Sequence, residues 1–289
     1  MALYLTAQVL LKAGDVVAIE NPGYRPAFDV FQHAGATMVP VGLDEQGINV
    51  QQLEQICKLQ PIKAVYVTPH HQFPTTRSMK ADRRLQLLNL SNQYGFAIVE
   101  DDYDHDYHFG SRSLQPLASY AGAHNVIYIS SLSKLIAPAV RIGYVAGPEK
   151  FIDALAALRM MIDRQGDPVM ENAVAELMEE GLVNKHAKRA LAIYRARREM
   201  MAKYLDLYLK DLADYELPEG GLAFWLVFRK PVNTIQLAEQ LLKNGVQVIS
   251  TERFSFDEQP LNALRLGYAS LEGEEMERGI RLIAALLIK

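Results

Sequence analysis

Carboxylates and imidazoles are concentrated in one short stretch, residues 98–109, which reads IVEDDYDHDYHF. Such a density suggests either a metal site or paired catalytic carboxylates. Successive residues of an extended segment point to opposite faces, so most of these side chains cannot reach one ion. We therefore expect no bound metal. The remaining acidic and histidine side chains are expected in a loop at the rim of a site or at a subunit contact: Asp104, His105, Asp106 and His108.

A lysine follows another apolar run, in SSLSKLIAPAVRIGY (residues 130–144). When such a lysine is desolvated, its pKa falls and its amine becomes a nucleophile that can form a Schiff base. Ser131, Ser133 and Arg141 accompany Lys134, and hydroxyls with a planar guanidinium suit a phosphate group. From composition alone, a surface lysine at the end of a strand is an equally good interpretation of Lys134.

Asp101 lies at the predicted carboxyl end of a buried strand that precedes the Lys134 segment. A carboxylate there can keep a ring nitrogen protonated, which makes the ring of pyridoxal 5′-phosphate (PLP) an electron sink. Tyr103, two residues further on, is placed to donate to a phenolic oxygen. The residues alone therefore favour cofactor chemistry over a metal.

The elements that must position these residues alternate along the first half of the chain. Most of the runs are apolar on successive residues, as in strands buried on both faces. Predicted strands are 15–22, 36–43, 64–69, 97–102, 125–131 and 141–147, with helices at 24–35, 48–59 and 80–95. This alternation predicts an α/β fold with a mostly parallel sheet, in which ligands bind beyond the carboxyl ends of the strands.

The pattern changes after residue 149. Residues 149–211 are predicted to be almost wholly helical, and a smaller α+β portion follows. Its predicted strands are 222–228, 246–250 and 263–269, with helices near 234–244 and 273–288. We therefore predict a large α/β domain at residues 1–185, then a linking helix and a small C-terminal domain at 186–289.

Composition excludes several classes of function. The 289 residues carry a net charge of −4, so no general attraction to nucleic acid or to an anionic membrane is expected. The basic stretch 184–198 interleaves with an apolar stripe and is interpreted as the solvated face of a helix. No run is long and apolar enough to span a bilayer, and the single cysteine, Cys57, favours a reducing, cytoplasmic setting.

Three motifs together resemble a known family. SLSKLIAPAVRIGY resembles the Schiff-base lysine signature of the fold-type I, PLP-dependent aminotransferases. VYVTPHHQFPTTRSMKADRR (residues 65–84) and IVEDDYDHDYHF resemble more particularly the aminotransferase-like domain of MocR-type regulators, a branch of the GntR family of bacterial transcription factors. The resemblance covers the whole chain and implies a PLP-dependent transferase-like fold, a homodimer, and an amino acid or small amino compound as ligand.

The resemblance also implies a role for each matched residue. Lys134 forms the Schiff base with PLP, Asp101 pairs with the pyridinium nitrogen, and Tyr103 bonds the ring oxygen O3′. The phosphate is held by three residues: Ser131, Ser133 and Arg141.

Two further residues are matched. Tyr24, in ENPGY, stacks on the pyridine ring, and Arg265, in ALRLGY, binds the carboxylate of a substrate or effector. Without the other motifs Tyr24 would be a core tyrosine at the start of a helix, and Arg265 would belong to a surface ion pair.

One turn departs from the family pattern. Where aminotransferases usually have Asn-Pro-Thr-Gly, residues 73–76 read FPTT. Phe73 cannot make the hydrogen bond that the asparagine makes to the ring oxygen. That oxygen must then be served by one of three residues: His71, Gln72 or Tyr103. Thr76 replaces the turn glycine, which is expected to shift the loop.

The chain opens inside a predicted helix, MALYLTAQVL, with no N-cap before it. In the family, the loop before this helix contributes to the phosphate site, and a winged-helix DNA-binding domain lies further upstream. We expect these segments to be absent, so this fragment is expected to make no direct contact with nucleic acid.

Three functions are compatible with these observations. The chain is expected to be the effector-sensing domain of a MocR/GntR-type regulator. It is alternatively a stand-alone PLP-dependent aminotransferase that acts on an amino acid. The third possibility is a degenerate remnant that dimerises without cofactor.

Overall fold

The apolar runs of the first half of the chain pair into one sheet in the computed structural model, which describes residues 1–110 and 115–288. The strands are β1 Val16–Asn21, β2 Thr37–Asp44, β3 Gly47–Ile48, β4 Ala64–Val67, β5 Ala97–Asp102, β6 Val126–Ser131 and β7 Gly143–Ala146. Their order is β3-β2-β1-β4-β5-β6-β7. The five central strands, β2, β1, β4, β5 and β6, run parallel. The edge strands β3 and β7 are antiparallel to their neighbours. The predicted α/β fold with a mostly parallel sheet is confirmed.

Helices cover both faces of this sheet, because successive strand residues point to opposite sides. The helices are α1 Ala2–Leu10, α2 Arg25–His33, α3 Val50–Leu59 and α4 Ala81–Tyr94. Val65 packs in the cluster that includes Leu53 of α3 and Leu87 of α4. Its neighbour Tyr66 packs in the opposite cluster, with Phe31 of α2. Burial on both faces explains why these strands are continuously apolar.

The C-terminal part is built around an antiparallel sheet of three strands in the order β10-β9-β8. Its elements, with the long helices before it, are α5 Glu149–Ile162, α6 Pro168–Glu179, α7 Leu182–Tyr208, β8 Ala213–Tyr215, β9 Ala223–Phe228, α8 Thr234–Lys243, β10 Ala263–Gly267 and α9 Gly273–Leu287. The prediction of a strand at 246–250 is wrong, because this segment has no ladder partner among the described residues. The expected domain boundary at 185/186 falls inside α7, and this division stays a prediction.

The basic stretch 184–198 belongs to α7, and its basic residues up to Arg195 are exposed as expected, whereas Arg197 and Arg198 are half-buried. Arg197 reaches Glu272 at the start of α9, and the Arg198 guanidinium lies 4.4 Å from the centre of the Phe109 ring. These arginines therefore fasten α7 to its neighbours. Within the described ranges, none of the helices has both the length and the apolar character needed to cross a bilayer.

The sheet has a switch point between β1 and β4, because β1 is flanked by β2 on one side and by β4 on the other. A ligand crevice is expected beyond the carboxyl ends of these two strands. Glu20, near the end of β1, is buried there and accepts hydrogen bonds from the Thr68 amide (3.1 Å), the Thr68 hydroxyl (2.9 Å) and Gln72 Nε2 (3.2 Å). Burial raises the pKa of Glu20 to about 7 against these hydrogen bonds.

A fully buried arginine fixes the segment that follows β4. Arg84 of α4 donates to the carbonyl oxygens of Pro69 (2.9 Å), Met79 (3.0 Å) and Gln115 (2.8 Å). Its side chain thus holds both ends of residues 69–79, which pass over the carboxyl edge of the sheet.

Arg84→Ala should lower the free energy of unfolding by about 3 kcal/mol or more, because three carbonyl groups each lose a charged donor and the fully buried side chain leaves a cavity. Chemical denaturation measures this loss. Arg189→Ala, which removes an exposed arginine of α7, is the control and should change stability by less than about 0.5 kcal/mol. Equal losses in the two variants would contradict a fixing role for Arg84.

Glu20→Gln should change how stability depends on pH. The folded pKa of Glu20 lies above the ordinary 4.5, so its protonation favours the folded state, and stability falls as pH rises from 4.5 to about 7. The variant should lack this contribution, which amounts to roughly 3 kcal/mol across the window. Denaturation at several pH values tests this, with the exposed Glu239→Gln as control. A constant difference between wild type and Glu20→Gln from pH 4.5 to about 7 would refute the assignment.

Candidate functional site

Asp101, close to the end of β5, carries the central carboxyl group of the site. Its Oδ2 accepts a hydrogen bond of 2.7 Å from the hydroxyl of Tyr66 on the neighbouring strand β4. Burial raises the pKa of Asp101 to about 6, although the Tyr66 hydrogen bond opposes the rise. A cationic ring nitrogen beside this group would favour its ionised form. The environment therefore suits a carboxylate that pairs with a pyridinium.

Lys134 lies in the turn after β6. Strand β6 pairs with β5, and Ile129 of β6 is the partner of Asp101 of β5. Its carbonyl oxygen accepts a hydrogen bond of 2.7 Å from the Tyr107 hydroxyl, which fixes the backbone at this position. The Lys134 side chain itself is exposed. The nucleophilicity predicted from the sequence requires a desolvated lysine, and the described residues of one chain do not supply that desolvation.

The three residues assigned to the phosphate lie together around this turn. The Ser133 amide donates to Ser131 Oγ (3.2 Å), and Arg141 Nη1 donates to Ser133 Oγ (3.4 Å). Arg141 has a φ of +53°, in the left-handed region that non-glycine residues rarely adopt. Two hydroxyls and a guanidinium thus face one another at the carboxyl end of β6, which is a suitable donor set for a phosphate.

Residues from distant parts of the chain converge on Phe73. Its ring centre lies 5.2 Å from that of Tyr24, 6.3 Å from that of Tyr103 and 5.4 Å from that of Phe254. The Arg265 guanidinium carbon lies 4.8 Å from the same ring centre. Arg265 Nε is buried and has no hydrogen-bond partner among the described residues. Arg265 therefore packs against Phe73 and has no salt bridge to a carboxylate among the described residues, and its role in binding a ligand stays a prediction.

The three candidates for a hydrogen bond to the ring oxygen O3′ differ in the hydrogen bonds that they already make. Gln72 Nε2 donates hydrogen bonds to the Glu20 carboxyl, to Pro22 O (3.0 Å) and to Phe73 O (2.6 Å). Its carbonyl oxygen accepts from the amide and hydroxyl of Thr75. Gln72 thus fastens the 73–76 turn to β1, a role that its position in the sequence does not reveal.

The other two candidates also have partners. His71 Nδ1 lies 2.7 Å from Asp104 Oδ1 in a buried pair. The Tyr103 hydroxyl donates to His71 O at 2.8 Å, with the Arg265 guanidinium beside it. Asp104 lies in the loop after β5, as expected, and is buried there, while its position at a rim or subunit contact stays a prediction. Of the three candidates, Tyr103 is the one whose hydroxyl donates to a single backbone carbonyl, that of His71. A rotation of the Tyr103 side chain would break this hydrogen bond and free the hydroxyl.

Thr76 takes the conformation of the glycine that it replaces. Its φ is +62°, and its amide donates to Gln72 O at 2.7 Å. A β-branched residue in the left-handed region costs about 1–2 kcal/mol. The turn therefore closes with threonine at the cost of local strain.

The opposite face of β5 carries a second cluster. Asp102 Oδ2 accepts from the Tyr128 hydroxyl (2.8 Å) and lies 3.0 Å from His70 Nδ1 and 3.3 Å from His105 Nδ1. Burial alone would raise the pKa of Asp102, but the hydrogen bonds to His105 and His70 outweigh it and hold this pKa well below its usual range. The alternation along β5 thus separates Asp101 from Asp102, as expected. His70 was not recognised, because it comes from the loop after β4.

Comparisons with known proteins find both regulators and enzymes. TauR, an HTH-type transcriptional regulator from Rhodobacter capsulatus, is 33% identical over 290 residues, which cover 99% of this chain and 58% of TauR. Aromatic-amino-acid aminotransferase 1 from Thermococcus litoralis is 30% identical over 290 residues, 98% of this chain and 69% of that enzyme. The chain thus spans a little over half of the regulator and about two thirds of the aminotransferase.

Solved structures share the fold over nearly the whole chain. A multiple substrate aminotransferase from Thermococcus profundus has a TM-score of 0.93 at 27% identity, covering 99% of this chain and 72% of that chain. LysN, an α-aminoadipate aminotransferase from Thermus thermophilus complexed with N-(5′-phosphopyridoxyl)-L-leucine, has a TM-score of 0.92 at 28% identity, covering 99% of this chain and 74% of LysN.

The family model described as "Aminotransferase class I and II" matches residues 1–283. PLP, the cofactor that the sequence motifs indicate, is the cofactor of this family, and its ring is represented in the LysN complex. The relatives include both regulators and enzymes, so the match identifies an aminotransferase-like domain. By motif, fold and sequence match, this chain belongs to the class I and II aminotransferase family.

Proposed function

We propose that this chain is a PLP-binding, aminotransferase-like domain that senses an amino acid or small amino compound for a MocR/GntR-type regulator. The observation that supports it best is the convergence of Tyr24, Tyr103 and Arg265 on the ring of Phe73. Tyr24 is also close enough to Asp101 for the Asp101 carboxyl to raise the pKa of Tyr24. An aromatic wall, a buried acid and a cation directed at the same space suit an amino acid held against a flat ring.

The residues present fit PLP. Asp101 offers a buried carboxyl whose other contact is one tyrosine hydroxyl, and the group formed by Ser131, Ser133 and Arg141 offers donors for a phosphate. When bound, PLP supplies an electron sink for charge that develops on the substrate carbon next to the amine. Asp101 would hold a proton on the ring nitrogen, and Tyr24 would orient the ring by stacking.

The roles of two basic residues follow from their positions. Arg265, with its buried Nε lacking a partner among the described residues, would bind the carboxylate of the ligand. The exposed amine of Lys134 would attach the cofactor and carry protons between the ligand and the solvent side. A partner subunit in a homodimer would cover this exposed side and desolvate the lysine. We place the protein in the cytoplasm, in keeping with its single cysteine.

The turn favours sensing over turnover, and relatives that are regulators are compatible with it. YisV from Bacillus subtilis, an HTH-type regulator by name, is 30% identical over 98% of this chain, and TauR and the regulator MocR of Rhizobium meliloti also match. Phe73 stands in place of the asparagine that serves O3′ in enzymes. A stand-alone aminotransferase remains the second candidate, because Lys134, Asp101 and Arg265 are all present and enzymes match equally well.

Titration of the purified chain with PLP should give a yellow adduct of one cofactor per chain. Lys134→Ala should abolish it, and Asp101→Asn should weaken PLP binding at least about tenfold, because the ring nitrogen loses its ionic partner. Lys150→Ala, at another exposed lysine, is the matched control and should bind like the wild type. Equal adduct in Lys134→Ala, or none in the wild type, would overturn the proposal; the second result would favour the remnant without cofactor.

Amino acids added to the PLP-loaded chain separate sensing from turnover. For a sensor, the cofactor absorbance should shift reversibly on ligand addition without accumulating the pyridoxamine form or an oxo acid. Arg265→Gln should weaken the response to carboxylate-bearing amines about tenfold or more and leave that to amines without a carboxylate unchanged. Conversion to pyridoxamine with release of an oxo acid would establish the enzyme instead.

A further inference from the structure

The cluster on the far side of β5 brings together three side chains that the candidate cofactor site does not use. They are His70 from the loop after β4, Asp102 at the end of β5, and His105 from the loop that follows β5. One potential ligand atom from each lies within 4.8 Å of the others. Two imidazole nitrogens and a carboxylate oxygen form a donor set typical of catalytic-type zinc sites with three protein ligands.

Two of the three distances among these atoms, those from Asp102 to each histidine, are close to the spacing of coordinated atoms, and the third is within 4.8 Å. Asp102 Oδ2 lies 3.0 Å from His70 Nδ1 and 3.3 Å from His105 Nδ1. In a tetrahedral site with bonds of about 2.0–2.1 Å, neighbouring ligand atoms lie roughly 3.3 Å apart. The two histidine rings are nearly perpendicular, at 84°, with centres 4.7 Å apart. An ion would thus need small side-chain adjustments and no backbone movement.

A second observation points to a missing partner. The Asp102 side chain is completely buried, and its Oδ1 has no hydrogen-bond partner among the described residues. Its Oδ2, in contrast, is approached by Tyr128, His70 and His105. A buried carboxylate with one bare oxygen is costly unless a donor or cation reaches it. A metal ion bound at Oδ2 would lower this cost by neutralising the charge of the carboxylate.

The cluster also has an entry path. A cavity of about 260 Å³ is lined by His105, Ser130, Tyr144 and Asn184, among others, and the His105 side chain is one third exposed to it. His70 and Asp102 lie behind His105, nearly without exposure. An ion can therefore arrive from this cavity, and a water molecule can complete its coordination there.

We propose that His70, Asp102 and His105 form a binding site for a divalent transition-metal ion, with Zn²⁺ best matched to the donors, on the face of β5 opposite Asp101. The ion would join the loop after β4 to the loop after β5, which carries Tyr103. The site does not depend on the proposed sensing function.

The test uses tag-free protein that has been treated with a chelator and dialysed, without PLP. Titration with Co²⁺ should give one ion per chain with the intense visible bands of tetrahedral coordination, and Zn²⁺ should displace it. Saturating Zn²⁺ should raise the melting temperature by several degrees, because the ion binds the folded state. Fewer than about 0.2 ions per chain, or octahedral bands alone, would refute the site.

Variants assign the ligands. His105→Ala, at the partly exposed ligand, and His70→Gln should each weaken Co²⁺ binding at least about tenfold and abolish the tetrahedral bands. His186→Ala, at an exposed histidine of α7, is the control and should bind like the wild type, as should Lys134→Ala. Unchanged binding in a folded His105→Ala protein, judged by circular dichroism, would show that the ion sits elsewhere.

Discussion

Carboxylates buried at the carboxyl ends of parallel strands are the constraint on which this structure depends. A carboxylate placed there without partners is strongly destabilising, so each must be neutralised locally. Glu100 accepts hydrogen bonds from the amides of Leu117 (2.8 Å) and Ala118 (3.0 Å). Asp101 takes the Tyr66 hydroxyl, and Asp102 takes Tyr128 and two histidines. Three consecutive acids therefore have three different environments and three different chemistries.

The two faces of β5 follow from this constraint. Because side chains alternate along a strand, Asp101 is directed to the Tyr66 side, and Asp102 cannot share that space. Asp101 and Asp102 thus belong to different sites, although they are adjacent in sequence. A shift of the β5 register by one residue would exchange the two acids between these sites, so the pairing of β5 with β4 and β6 determines both.

Much of this arrangement was predictable from the sequence, because continuously apolar β-branched runs specify strands buried on both faces. Those runs correctly predicted β1, β2, β4, β5, β6 and β7, and the parallel pairing of β5 with β6 puts Asp101 opposite Ile129, five residues before Lys134. Residues 246–250 have the same composition but find no sheet edge, since strand formation requires a pairing partner that local composition does not reveal. The roles of Glu20 and Gln72 were not predictable, because they depend on a hydrogen bond between residues that lie far apart in the sequence.

Replacement of the turn asparagine by Phe73 changes how the two halves of the site communicate. An asparagine acts on the ring oxygen through a hydrogen bond, whereas the Phe73 ring contacts Tyr24, Tyr103 and Arg265 together. In the proposed site the O3′ donor would be Tyr103, whose hydroxyl donates to His71 O beside the Arg265 guanidinium. Rotation of Tyr103 toward a ring would remove a neighbour of Arg265, which would become available to a carboxylate. Under the proposed function, occupancy by a cofactor and recognition of a ligand would be coupled through this one tyrosine, which is the property that a sensing domain requires.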